Sequence, residues 1–102
     1  MFRGVAVAGH SMEPALRDGD WVIVAPLWRP PRRGEIVLAR DPRVPERLVL
    51  KRVARVEDGR YTLLGDRPDE STDSRTFGPV ALSHVVGRAV FRYAPLARAR
   101  LL

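Results

Sequence analysis

A chain of 102 residues has room for one hydrophobic core, and 45% hydrophobic with 29% charged residues is the make-up of a folded domain, not a disordered one. The absence of Cys excludes a disulfide scaffold, thiolate chemistry and any cysteine-based zinc site. The net charge of +6 admits an acidic or nucleic-acid partner, but the seventeen Arg are scattered from Arg3 to Arg100 with no block longer than Arg32-Arg33, which is not a binding stripe.

Short β-like runs separated by Gly, Pro and Asp predict a mostly β chain forming a single domain over residues 1–102. The first strand is expected over Arg3 to Ala8. Ser11 to Arg17 has room for one helical turn, with Pro14 tolerated in its first residues. Asp18-Gly19-Asp20 reads as a turn before a strand at Trp21 to Ala25, and Pro26 to Gly34 as a surface loop or edge segment. Further strands are expected at Glu35 to Arg40, Leu48 to Glu57, Arg60 to Leu64 and Val86 to Tyr93, with Asp58-Gly59 as a two-residue hairpin turn. Gly65 to Pro79 is the longest polar segment, and loops of that length in small domains tend to be functional. The longest apolar run, Trp21 to Leu27, falls far short of the roughly 18 residues of a membrane-crossing helix. Val5 to Ala8 is too short for a secretory signal. These points lead to the expectation of a soluble, cytoplasmic protein.

The chemistry concentrates in three segments. Gly9-His10-Ser11-Met12-Glu13-Pro14 sets a Ser at the end of a strand and the start of a turn. Peptide N–H groups at such a corner can face an anion, as an oxyanion hole requires; taken alone, the segment is read more simply with Ser11 as a plain helix cap. Lys51 is the only Lys in the chain, and a desolvated ammonium can lose its proton where a guanidinium cannot. Strand alternation puts Val49, Lys51 and Val53 on one face, which gives the amine apolar neighbours. A neutral Lys beside a Ser hydroxyl could take its proton and create a nucleophile; the other reading is an edge Lys that blocks pairing with another sheet. Gly65 to Arg75 mixes hydroxyls, carboxylates and Arg, and its plain reading is a self-satisfied loop with Asp73 paired to Arg75. Its acids lack calcium-loop spacing, and His10 and His84 make a poor metal set, so neither metal nor cofactor is expected.

In this order the segments resemble the boxes of the signal peptidase I family of Ser-Lys proteases over nearly the whole chain. Gly9 to Gly19 resembles the nucleophile box, Arg33 to Val37 the next, Lys51-Arg52-Val53 the general-base box, and Gly65-Asp66 through Ser71, Asp73, Ser74, Arg75 and Gly78 the last. The resemblance implies a compact signal-peptidase-like β fold with one short helical turn after the nucleophile. It implies Ser11 as nucleophile, with its own N–H in the oxyanion hole, and Lys51 as general base. Ser71 would hydrogen-bond and orient the Lys, and Asp73 and Arg75 would form a supporting ion pair. Val5, Val7, Met12, Leu16 and Leu50 would line shallow pockets for small residues before the cut. The substrate, a precursor protein, would lie extended as an added strand between the segments around Val7 and Val49.

Three departures qualify this. Gly9 stands where some members carry a Ser as second oxyanion donor, which leaves a backbone group, that of Gly9 among the candidates. Arg67 replaces a usual Asn. The family's membrane anchor and second β domain have no counterpart. The closing Val85 to Pro95 stretch resembles that of the soluble nickel-type superoxide dismutase maturation proteases, which implies removal of a leader to free an α-amine for nickel. A signal peptidase whose anchor lies on a partner or was removed is one rival. The self-cleaving SOS-repressor peptidases are another, although only ten residues precede Ser11. A basic β module that binds nucleic acid is the non-enzymatic rival; no nucleic-acid partner is expected.

Overall fold

The computed structural model describes residues 1–102 and consists mainly of strands: β1 (Arg3–Ala6), β2 (Trp21–Ala25), β3 (Ile36–Asp41), β4 (Val44–Glu57), β5 (Arg60–Leu64), β6 (Val80–Ala81), β7 (Val85–Ala94) and β8 (Arg100–Leu101). They form one sheet in the order β1-β2-β7-β3-β4-β5-β6, with β8 on β7. Every pairing is antiparallel, so direction alternates along that order and β1 and β4 run the same way.

β3 explains the layout of the core. Its Ile-Val-Leu-Ala run is buried on both faces, and alternation sends Ile36 and Leu38 one way and Val37 and Ala39 the other. Ile36 and Leu38 join Val7, Met12, Leu16, Val22, Val24 and Ala89 in a first cluster, while Val37 and Ala39 join Val53, Tyr61, Leu63, Val80 and Val85 in a second. The first cluster anchors the Ser11 turn from below. The second carries the β4–β5 hairpin and the loop after it.

β2 and β5 have the predicted bounds, and Asp58 and Gly59 both adopt positive φ (50° and 71°), as a type I′ turn requires. β4 begins at Val44, ahead of the expected Leu48, with an irregularity between the Arg40 and Asp41 pairings. The expected helical turn after Ser11 is a run of turns holding one helix-type bond, Leu16 N–H to the Met12 carbonyl at 2.9 Å. The one α-helix, α1 (Ser74–Phe77), lies in the polar segment instead.

β4 carries β3 along Leu48–Arg52 but meets β5 only from Arg52 onward, so Leu48 to Lys51 has one bare edge. β1 pairs only with β2. These two edges face each other across a cleft of about 340 Å³ lined by residues 5–12 on one wall and 47–51 on the other, with Leu38 between.

Candidate active site

The Ser11 turn is held from three directions. Val7 exchanges backbone bonds with Asp20 and Gly19, both at 2.8 Å, which extends the β1 ladder to the turn. Asp20, almost fully buried, accepts the Arg17 N–H and both terminal nitrogens of Arg98. Buried Arg92 donates to the Ala15 carbonyl at 2.7 Å. On the remaining side the Arg67 N–H donates to the Ser11 carbonyl (2.8 Å), and the Arg67 guanidinium to Glu13 (2.9 Å), which also bonds His10.

Within that frame Lys51 Nζ lies 2.8 Å from Ser11 Oγ, a contact between residues forty positions apart and the only side-chain hydrogen bond of Lys51. Only 5% of Lys51 is exposed. Burial pulls its pKa below the ordinary lysine value; the Asp73 charge opposes that pull, and the Arg47 and Arg75 charges add to it.

Asp73 is the fully buried partner behind the pair. Burial by itself would raise its carboxyl, but hydrogen bonds from Arg75, Ser71 and the backbone of Gly65 and Arg75 hold it far below the usual carboxylate range. The same carboxylate caps α1. Asp73 and Arg75 therefore form the expected ion pair. Ser71 departs from expectation: its hydroxyl donates to Asp73 Oδ2 at 2.6 Å and makes no bond to Lys51. A carboxylate with several lone-pair sites outcompetes an amine already engaged by Ser11.

Gly65 fits here because nothing larger would. A Cβ on it would overlap the Ser71 side chain and lie 2.8 Å from the Ser11 carbonyl oxygen. Beside it, Asp66 accepts two nitrogens of Arg52 (2.9 and 2.7 Å), tying the loop to β4 one residue past Lys51. Neither role is visible in the sequence, since each depends on a neighbour distant along the chain.

The Ser11 N–H has no partner within the chain, and so remains available to an oxyanion. Gly9 does not supply the second donor, because its N–H is already given to Asp18 Oδ1 at 2.8 Å. Val5, Val7, Met12, Val49 and Leu50 line the cleft as expected. Leu16 does not: it is wholly buried in the first core cluster, where it supports the turn from beneath. His10, Arg47, Leu48 and Glu70 line the cleft without having been singled out as pocket residues.

The cleft walls also present backbone. Val7 and Val53 turn their N–H and C=O toward their own sheet neighbours, and alternation along each strand then points those of Ala6, Ala8, Leu48 and Leu50 into the gap. Such a seam accepts one more extended strand. A neutral amine at Nζ can take the Oγ proton as Oγ attacks a carbonyl held on that strand, which leaves an ammonium at Nζ.

The family model for Peptidase S24-like proteins matches residues 3–90. The human mitochondrial inner membrane protease subunit 1 is 32% identical over 91% of this chain and 70% of its own length. The Arabidopsis thaliana mitochondrial ATP-independent inner membrane protease subunit 1a is 34% identical over 87% of this chain and 68% of its own. Subunit 2 of the inner membrane protease from Danio rerio is 34% identical over 81% of this chain and 59% of its own. These names give no support to the expected cytoplasmic location or to nickel superoxide dismutase in particular. No helix of this chain is long and apolar enough to cross a membrane.

Proposed function

The chain belongs to the Peptidase S24-like family, and on that premise we propose that residues 1–102 form one catalytic domain of a serine endopeptidase that removes a leader from a precursor protein. The observation that carries this is the 2.8 Å approach of a buried amine to a hydroxyl. Neutral Lys51 takes the Ser11 proton as Oγ attacks the scissile carbonyl, and the Ser11 N–H meets the developing oxyanion. The resulting ammonium protonates the departing amine. Water then hydrolyses the acyl-enzyme, with Lys51 again the base. Asp73, Ser71 and Arg75 support Lys51 from behind, Ser71 acting through Asp73.

Residues before the cut lie as a strand between β1 and β4, over shallow positions formed by Val5, Val7, Met12, Val49 and Leu50. Nickel-type superoxide dismutase precursor is the named candidate substrate, on the strength of the Val85 to Pro95 resemblance. Signal-peptidase-type cleavage of secreted preproteins, with the membrane anchor outside these residues or on a partner, is the second reading, and the relatives' names, which are those of membrane proteases, favour it.

The test is to incubate the protein with both precursors in parallel and read new N-termini by mass spectrometry. Ser11→Ala and Lys51→Arg are each expected to lower cleavage by about 10³-fold or more with the fold intact. Arg keeps charge and reach but cannot deprotonate, so wild-type-like turnover in Lys51→Arg would end the proposal. The pH dependence has a fixed sign. Below the Lys51 pKa the ammonium has no free lone pair, so the rate climbs as pH rises through that depressed value and levels off above it; a flat profile from pH 5 to 10 contradicts it.

A further inference from the structure

One guanidinium on the cleft, that of Arg47, shares its nearest carboxylate with a second guanidinium. Arg47 lines the β4 wall four residues before Lys51, on the order of 13 Å along an extended strand. It lies in the stretch where β4 gains residues against β3, between the Asp41–Val44 and Arg40–Leu48 pairings, and irregularities of that kind re-aim a side chain. Its nearest acid, Asp41, is 4.0 Å away. That buried carboxylate is already taken by Arg43, through its backbone N–H, Nε and a terminal nitrogen. One acid between two guanidiniums leaves a net positive charge, and the Arg47 side chain is 55% exposed. The other charged groups on the cleft are His10, Glu70 and Lys51. Glu70 is a second acid, on the cleft itself, and its charge acts on His10.

We propose that Arg47 selects precursors that carry Asp or Glu about four residues before the cut. This rests on the reading in which those residues lie between β1 and β4. A strand seated there brings its fourth side chain to the level of Arg47, where it finds a cation whose nearest acid is engaged by Arg43. Charge selection at a half-open rim favours the matched substrate modestly, about threefold to tenfold, and weakens with salt.

The test separates binding from cleavage. Short fluorescein-labelled peptides with Ala one and three residues before the cut, and Asp, Asn or Lys at the fourth, are titrated against Ser11→Ala protein. The Asp peptide is expected to bind about threefold to tenfold tighter than the Asn peptide, and the Lys peptide weakest. Adding Arg47→Gln should level the series, and adding Arg47→Glu should reverse it. Equal affinities for the three peptides, or an Asp preference that survives Arg47→Glu, overturn the proposal. Peptides bound with this bias but left uncut by the protein with Ser11 intact would sink the peptidase reading and sustain this one. Cleavage without bias would do the opposite.

Discussion

Asp20 and Asp73 are both buried acids with Arg partners, and both sit beside the Ser11 turn, yet they do different work. Asp20 ties the turn to the segment just past β7 through Arg98, with Arg92 of β7 3.7 Å away. Nothing titratable in the proposed reaction touches it. Asp73 is held by a hydroxyl, two backbone N–H groups and Arg75, and its charge reaches Lys51. The same ion-pair chemistry thus serves as an anchor in one place and as electrical bias in the other. What separates them is whether a group whose charge must change lies nearby.

That contrast can be broken experimentally. The largest effect is expected from Asp73→Asn: an activity loss of about 10²-fold as the loop behind Lys51 loosens. The residual activity should rise at lower pH than in wild type, since removing a charge that raises the Lys51 pKa lets burial pull it down further. A shift in the other direction would refute the role given to Asp73. Asp20→Asn should be felt chiefly in stability, about 3 kcal/mol in urea unfolding, because it leaves the buried Arg92 and the part-buried Arg98 uncompensated. Its pH–rate profile should stay in place; a profile that moves would make Asp20 an electrical partner too. The smallest effect belongs to Arg67→Asn, which keeps the backbone bond to Ser11 but removes the half-exposed bridge to Glu13. A few-fold fall in kcat with KM little changed is expected, and an unchanged kcat would show that the bridge is ornamental.

The comparison also explains what could be read in advance. The Asp73–Arg75 pair was legible in its own loop, whereas the meeting of Ser11 and Lys51 was legible only through the resemblance and the lone Lys among seventeen Arg, since neither segment by itself decided between its two readings. The alternating runs of β2 and β5 were legible because one face of each is buried and the other partly open. Ser71, Gly9 and Leu16 were misplaced for one reason: their partners are decided by competition in space. Ser71 meets a better acceptor in Asp73, Gly9 is claimed by Asp18, and Leu16 falls into a core that its local sequence does not display. α1 escaped notice because four residues cannot show a helical period, although its Asp73 cap was in plain sight.

The unfilled seam between β1 and β4 has a final consequence for what this molecule will tolerate as prey. Its two lips offer peptide groups at strand spacing, which a coiled or already folded segment does not match. Selection would then begin before any side chain is inspected, with a leader qualifying by being slack. A precursor that tucked its leader into its own mature fold would escape the cut however well its residues matched.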